Sequence, residues 1–151
     1  MEIRAARDDE IEELTRLFIR ARNEMDYLPR VPDEAAGPIS ARIREHEDVW
    51  VAEEEGRLLG FLAIGHSRDL DAPVLEKLHV EPAAQNRGIG TALLAKAKEL
   101  RPDELYLWVF QKNPARRLYE RHDFELVKLT DGAENMEREP DALYRWPGSG
   151  G

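Results

Sequence analysis

The sequence predicts a single α/β domain built on a mixed sheet, and two features of its pattern support that prediction. Two apolar, strand-like segments first follow each other directly, at residues 48–53 and 57–66. Further along the chain, strand-like and helix-like segments alternate, at residues 75–80, 91–100, 105–110 and 113–121. Strands that first meander and then alternate with helices build a sheet with both antiparallel and parallel neighbours.

The elements of the N-terminal half follow from hydrophobic spacing. Residues 2–6 predict a first strand, and apolar residues at helical spacing predict an amphipathic helix over roughly 9–23. A second, short helix is predicted at roughly 35–46. The two strands that follow form a hairpin around Glu55–Gly56, and the second of them is apolar on both faces, which predicts a central position in the sheet.

The C-terminal half predicts two more strands with a polar loop between them. The first covers residues 124–130, with Phe124, Leu126 and Lys128 on one side, and the second covers 142–146. A surface turn is predicted at 68–73. The domain therefore spans residues 1–146, and residues 147–151 (PGSGG) read as a flexible tail.

Composition excludes several classes of function. The 151 residues are 42% hydrophobic and 35% charged, as in a globular protein, and the formal net charge is −9. That charge argues against binding to nucleic acid or to an anionic membrane surface. It would suit a cationic or amine substrate, although acidic surfaces often serve only solubility.

Other absences in the sequence narrow the chemistry. Without cysteine, no disulfide framework, cysteine-ligated metal or cysteine nucleophile is available. His46, His66 and His122 lack metal-ligand spacing, so we expect no metal site. No apolar run reaches membrane-spanning length, and the first ten residues (MEIRAARDDE) lack the apolar region of a signal peptide. We therefore expect a cytoplasmic protein.

A glycine-bearing turn between residues 75–80 and the helix at 91–100 has the properties of an anion site. Gly88 and Gly90 carry no Cβ, so the backbone can approach a ligand closely. The N–H groups of a helix's first turn favour phosphate, and Arg87 adds a positive charge. A dinucleotide fingerprint would need glycine at Leu93, and the lysine of a P-loop is absent.

Two motifs resemble those of one family. Gln85-Asn86-Arg87-Gly88-Ile89-Gly90 resembles the acetyl-CoA pyrophosphate loop of the GCN5-related N-acetyltransferases, the GNAT family. Residues 105–110 look like the strand that follows in that family, and Asn113 to Phe124 is similar to its N-x-x-A-x-x-x-Y-E-x-x-G-F segment. Asp123 stands where the family has glycine, at a position that should be left-handed.

The resemblance implies both a fold and an activity. The fold would be a largely antiparallel sheet of six to seven strands with splayed central strands and about four flanking helices. The activity would be transfer of an acetyl group from acetyl-CoA to a primary amine, of a small molecule or a peptide N-terminus, by direct attack in a ternary complex. The protein would be a monomer or a homodimer.

The resemblance also implies a set of residues that border acetyl-CoA. Asn113 and the backbone of Leu78 and Val80 would hydrogen-bond the pantetheine arm. The imidazole of His79 is interpreted as structural. The full predicted set is Leu78, His79, Val80, Gln85, Asn86, Arg87, Gly88, Ile89, Gly90, Thr91, Asn113, Arg116 and Tyr119.

Two residues are candidates for acid–base catalysis. Tyr119 matches the family tyrosine that reaches the thioester sulfur as general acid; the alternative is an aromatic side chain half-buried against the sheet. Glu76 lies among apolar neighbours on a predicted strand, where burial would raise its pKa and suit a general base. Its alternative is a structural ion pair. Strand alternation places His79 on the opposite face from Glu76.

The acceptor site is predicted in the loop after the first helix. The family resemblance assigns this loop to the acceptor pocket, so Tyr27, Leu28 and Arg30 should border it, and Arg30 should hold a substrate carboxylate. The alternatives are a loop packed on its own domain and an arginine in solvent.

Two other functions stay open at this point. One is a CoA-binding module without catalysis, which acts as an acyl-CoA sensor. The other is a nucleotide-phosphate binder unrelated to acetylation. A thiol-release assay over a panel of amines separates both from an acetyltransferase.

Overall fold

One seven-stranded sheet organises the structure, which is a computed structural model that describes residues 1–150. The chain forms seven strands and four α-helices, with single 3₁₀ turns at Asp8–Glu10, Asp33–Ala35 and Pro82–Ala84. In chain order the elements are β1 Glu2–Ala5, α1 Ile11–Asn23, α2 Ala36–Arg44, β2 Asp48–Glu54, β3 Arg57–Ser67, β4 Ala72–Val80, α3 Ile89–Leu100, β5 Leu105–Phe110, α4 Ala115–Arg121, β6 Glu125–Leu129 and β7 Asp141–Trp146.

The strand order is β1-β2-β3-β4-β5-β7-β6, and all neighbours are antiparallel except the pair β4 and β5. A strand–helix–strand crossover through α3 makes that one parallel pair, as such a connection requires. The predicted mixed, largely antiparallel sheet with about four helices is confirmed. β3 lies between β2 and β4, in the interior position that its two apolar faces predict.

Each face of the sheet carries its own core. Helices α1 and α2 pack on one face, with Ile11, Leu14, Leu17 and Ile43 against Phe61 of β3. Helix α3 packs on the other face, and a larger cluster forms there from Leu62, Ile64, Leu75, Leu93, Leu94, Ala97, Leu105, Leu107 and Tyr144. The two faces are called the α1 face and the α3 face below.

The parallel pair β4 and β5 is paired over only two residues. Val74 lies opposite Tyr106 and Leu75 opposite Leu107, and no later pair is formed. On its other side β4 stays paired with β3 as far as Gly60 and Val80. The two central strands therefore splay apart beyond Leu75, and the β5 side of β4 is left without a strand partner from Glu76 onward.

A bulge interrupts β4 at Glu76. Leu75 pairs with Ile64 and Lys77 pairs with Ala63, so Glu76 is one extra residue against β3. Because Ile64 and Ala63 face opposite sides of the sheet, Leu75 points to the α3 face and Lys77 to the α1 face. The simple alternation assumed from the sequence does not hold across this position.

Some predicted boundaries and faces are wrong. β4 begins at Ala72, so the predicted surface turn at 68–73 overlaps the strand. β6 is an edge strand with all five residues exposed. Leu126 and Lys128 do not lie on one side as predicted, because a register shift pairs them with the adjacent residues Tyr144 and Leu143 of β7. Phe124 is buried, but it precedes the strand. Asp123 does adopt the left-handed conformation expected there, with φ of 71°.

The segment after Trp146 contacts the turn between α3 and β5. The Ser149 N–H donates to the Pro102 carbonyl at 3.0 Å. Gly148 has φ of 98°, and a Cβ there would collide with the Asp103 carbonyl. The predicted tail is thus held at two points, while its last residue, Gly151, lies outside the described residues. Within residues 1–150, no helix has the length and apolarity needed to cross a membrane.

Candidate active site

A cleft of about 900 Å³ opens where β4 and β5 separate. Its walls come from elements that are distant in sequence: β4, β5, the segment leading into α4, the end of α1, and the loop between β6 and β7. Lining residues used below are Phe18, Arg22, Met25, Glu76, Lys77, Leu78, His79, Asn113, Tyr119 and Glu137.

The open edge of β4 presents backbone groups to this cleft. The Glu81 N–H donates to the Leu59 carbonyl of β3 at 2.8 Å, so the backbone groups of Glu81 face β3. In an extended strand the backbone groups of successive residues point to opposite sides. The backbone groups of Val80 therefore face away from β3, and the backbone groups of Leu78, two residues earlier, do the same. Both residues lie past the last β4–β5 pair, as the prediction of a pantetheine contact requires.

Tyr119 lines the cleft from α4. Its side chain is only 7% exposed, and its ring packs edge-on against Phe124 at 6.0 Å between centroids. Burial raises the pKa of the Tyr119 hydroxyl, so this group keeps its proton at neutral pH. Among the described residues, the hydroxyl has no hydrogen-bond partner. It is a protonated donor at the cleft wall.

Asn113 stands beside Tyr119 at the cleft. Its Oδ1 accepts the Ala115 N–H at 2.9 Å, which fixes the side chain at the start of α4. The side-chain N–H groups make no bond to another part of the chain that the structure describes. They are available to a ligand in the cleft.

The glycine-bearing turn leads directly into α3. Gly88 has φ of 80° and Asn86 has φ of 67°, and α3 begins at Ile89, two residues before the predicted Thr91. The Ala92 N–H donates to the Gly88 carbonyl, so the N–H groups of the three preceding residues have no acceptor within the helix. A Cβ on Gly88 would meet open space, so the need for glycine there comes from its left-handed backbone.

Arg87, next to this helix start, is paired with β2. Its Nη2 lies 2.6 Å from Oε2 of Glu54, and both side chains are partly exposed. An exposed ion pair of this kind contributes little to stability because solvent screens it, so the guanidinium can exchange partners. Gln85, Asn86 and Thr91 are exposed around the same turn.

Arg116, predicted to border the cofactor, is held elsewhere. Its Nε donates to the Tyr144 hydroxyl at 3.0 Å, and its Nη1 donates to the Gln111 carbonyl at 3.2 Å. Tyr144 in turn donates to Glu120 at 2.6 Å. Arg116 does not line the cleft; it links α4 to β7.

Comparison with known proteins identifies the family of this chain. Residues 45–126 match the sequence profile described as "Acetyltransferase (GNAT) domain". The chain is 36% identical to the peptidyl-lysine N-acetyltransferase YiaC of Escherichia coli strain K12 over 131 residues. This match covers 86% of the chain and 79% of YiaC. The chain belongs to the GNAT family. It is an acetyltransferase by that membership, and the resemblance seen in its motifs is confirmed.

Solved GNAT structures share the fold. The PaiA N-acetyltransferase of Thermoplasma acidophilum, in complex with coenzyme A, superposes with a TM-score of 0.72 at 19% identity, over 97% of this chain and 98% of PaiA. A ribosomal-protein-alanine N-acetyltransferase of Brucella melitensis gives 0.74 at 22% identity, over 96% and 98%. At these identities the likeness shows the fold alone.

Glu76 lies at the cleft of this GNAT domain but is not buried. The bulge turns its side chain outward, and a Cβ placed on Gly65 would lie 3.4 Å from the Glu76 Cγ. Gly65 belongs to the α1 face, so Glu76 shares a face with Lys77 and His79, and the predicted opposite placement of His79 is wrong. The predicted burial of Glu76 is wrong as well. Among residues 1–150 it forms no ion pair.

The predicted acceptor residues Tyr27, Leu28 and Arg30 do not line the cleft. Asn23 folds their loop back onto the end of α1: its Nδ2 donates to the Val31 carbonyl at 3.1 Å, and its Oδ1 accepts the Val31 N–H at 2.8 Å. Leu28 is buried, Arg30 points into solvent, and Tyr27 packs against Phe110. The structure thus places these three residues outside the cleft wall, and their part in acceptor binding stays a prediction.

The α1 side of the cleft is instead formed by Phe18, Arg22 and Met25. Phe18 and Arg22 are four residues apart, so they share one helix face. The helical spacing of apolar residues predicts α1 but does not assign Phe18 or Arg22 to a site. The signal that could have found them is their position at the C-terminal end of α1, next to the loop.

Three basic groups meet on this wall. The Lys77 Nζ lies 4.3 Å from the Phe18 ring centroid, and the His79 ring lies edge-on to Phe18 at 4.8 Å between centroids. Burial, with added repulsion from Lys77 and Arg22, lowers the pKa of His79 to about 3. Burial also lowers the pKa of Lys77. In the described part of the chain, no group of three or more His, Asp or Glu side chains is placed to hold a metal ion.

The lowered pKa of His79 predicts a pH dependence of stability. The unfolded chain protonates this imidazole near pH 6.5, whereas the folded chain resists protonation down to about 3. Below pH 6.5 the unfolded state therefore binds the extra proton, and the free energy of unfolding falls as pH falls, by at most about 1.4 kcal/mol per pH unit for one proton.

Urea unfolding between pH 7 and about 5.5 checks this prediction, because a carboxylate such as Glu10, whose pKa is lowered from 4.5 to about 2, begins to lose its stabilising effect only as pH falls toward 4.5. We expect His79→Gln to flatten the slope of stability against pH. His66→Gln, at an exposed histidine, should leave it unchanged. Parallel slopes for wild type and His79→Gln would contradict the prediction.

Proposed function

We propose that this protein transfers an acetyl group from acetyl-CoA to a primary amine by direct attack within a ternary complex. The observation that supports this best is the convergence of two features on one cleft. The unpaired backbone edge of β4 can take an extended arm as an added strand, and the protonated Tyr119 hydroxyl lines the same space.

The donor would be held at two places. The free N–H groups at the start of α3, with Gly88 and Arg87, would bind the pyrophosphate. The pantetheine arm would run along β4, with bonds to the backbone of Leu78 and Val80 and to the side chain of Asn113. The coenzyme A bound to the PaiA relative is consistent with this choice of donor.

The reaction then needs few groups from the protein. The neutral amine attacks the thioester carbon, a C–N bond forms, and the carbonyl oxygen carries the negative charge of the tetrahedral intermediate. As the C–S bond breaks, Tyr119 gives its proton to the sulfur. The proton released from the nitrogen passes to Glu76, directly or through water.

The identity of the acceptor is less closely defined than that of the donor. YiaC, by its name, acetylates lysine residues of proteins, and the 36% identity makes a lysine side chain a candidate acceptor here. Small-molecule amines and peptide N-termini are the other candidates. No structural observation favours the alternative of an inactive acyl-CoA sensor, and release of free CoA thiol in the presence of an amine would refute that alternative.

Removal of the Tyr119 hydroxyl tests the acid. We expect Tyr119→Phe to lower kcat by roughly 10²–10⁴-fold if thiolate protonation limits the rate, while the ring keeps the fold and acetyl-CoA affinity. Tyr106→Phe, outside the cleft on β5, serves as the control and should keep wild-type kcat. A kcat for Tyr119→Phe equal to wild type, with chemistry shown to be rate-limiting by single-turnover kinetics, would exclude the role.

Gly88→Asp tests the anion site. The substitution places a negative side chain at the start of α3, so we expect acetyl-CoA affinity, measured by calorimetry, to fall by roughly tenfold or more. Gly56→Asp is a matched control, because Gly56 has a similar φ of 78° and equally open surroundings in the β2–β3 hairpin. Equal acetyl-CoA affinities for the two variants would argue against the site.

Glu76→Gln tests the base. It keeps the shape and removes proton acceptance, so the loss in rate should be largest at low pH, where most of the amine is protonated. The loss should shrink as pH rises and the amine loses its proton in solution. The check is a pH profile of kcat/KM for both proteins; a constant ratio across pH would leave Glu76 only an orienting role.

A further inference from the structure

Arg22 is a buried arginine with hydrogen-bonding capacity to spare. Its side chain lies at the cleft, and the residue is only 7% exposed. Its Nη1 donates to the Pro29 carbonyl at 3.1 Å, and among residues 1–150 no carboxylate is within ion-pairing distance. A guanidinium has five N–H donors, and burial of its charge without an anionic partner is energetically unfavourable.

The surroundings of Arg22 do not supply that partner. Lys77, on the facing strand, is a cation, and the neighbouring His79 stays neutral because its pKa is lowered to about 3, in part by the charge of Arg22. Glu137, in the loop between β6 and β7, is the acidic residue whose charge acts on Arg22 most strongly, yet it forms no ion pair with it. Arg22 and Lys77 thus place two cations on this wall of a chain with a net charge of −9, and Glu76 lies on the same face of β4 as Lys77.

A carboxylate is the ligand that this wall fits. The planar fork of a guanidinium binds a carboxylate through two parallel N–H···O bonds, and a nearby ammonium adds attraction. Phe18 shares a helix face with Arg22 and lies beside the Lys77 ammonium, so its ring offers an apolar surface for the carbon chain that links carboxylate to amine. The bond to Pro29 uses one donor of Arg22 and leaves the rest for a ligand.

We propose that Arg22 binds a carboxylate of the acceptor, so that preferred acceptors carry an amine and a carboxylate near each other. This inference rests on the proposed function. The carboxylate can come from two sources: the α-carboxylate of a free amino acid, or an acidic side chain beside a lysine in a peptide. A role for Arg22 only as a clamp on the loop at Pro29 predicts no such preference.

The experiment compares acceptors that differ only in the carboxylate. One arm uses free L-amino acids against their α-carboxamides; the other uses lysine peptides with a neighbouring glutamate against glutamine. In thiol-release assays we expect wild type to favour the carboxylate in at least one arm by roughly 10- to 100-fold in kcat/KM, mainly through KM. The arm that shows the preference identifies the source.

Variants of Arg22 link the preference to this residue. Arg22→Gln should bring the carboxylate-to-amide ratio to about one, and Arg22→Lys should keep part of it through its charge. Arg16→Gln removes the same charge from the exposed side of α1 and should keep the wild-type ratio. If Arg22→Gln does not fold, the comparison of wild type with Arg22→Lys decides, because the ratio must fall there too.

A measurement of acceptor affinity distinguishes failure of this inference from failure of the proposed function. Calorimetry in the presence of CoA measures acceptor affinity without catalysis, and the same preference for carboxylates, reduced in Arg22→Gln, should appear there. Equal affinities and rates for carboxylate and amide in wild type would overturn the inference, as would a preference that both Arg22 variants keep in full. Absence of thiol release with every amine, alongside an intact binding preference, would refute only the proposed function.

Discussion

The separation of β4 from β5 after two residue pairs is the constraint on which the rest of the site depends. Hydrogen bonding along β4 would otherwise be satisfied on both sides by the sheet. Because pairing stops at Leu75 and Leu107, the strand keeps an unsatisfied edge in the middle of the molecule, where walls from α1, α4 and the β6–β7 loop surround it. The cleft is thus a gap in the sheet itself, lined by the ends of otherwise ordinary elements.

The bulge at Glu76 is a second feature on which the arrangement of the cleft depends. One extra residue turns Leu75 toward the α3 face and Lys77 toward the α1 face, so a single strand contributes to both cores and to the cleft. It also keeps a carboxylate, a lysine and an imidazole on the same side. Without the bulge, strict alternation would place Lys77 beside Leu75, in an apolar core that cannot accept an unpaired charge.

Local patterns in the sequence predicted most of the elements and the turn before α3, because periodicity, glycine positions and the family motifs are properties of short segments. Asp123 is an example: its left-handed backbone follows from the helix end alone. The errors concern features set by distant parts of the chain. The exposure of Glu76 depends on its register with β3, and the sides on which Leu126 and Lys128 lie depend on the register of β6 with β7. Arg22 was missed for the same reason, since its burial comes from the folded loop.

The proposed binding of the donor along the open edge of β4, and of the acceptor on its α1 face, has a consequence for divergence within the family. Under the proposed function, the donor contacts come from the backbone of β4, the start of α3 and the side chains of Asn113 and Tyr119. Substitution of Phe18 or Lys77 removes none of them. Under the same proposal, the acceptor would bind against side chains on the α1 face. Single substitutions among these side chains can therefore change which amine is modified without loss of donor binding. A new acceptor specificity can then arise through variants that all remain active.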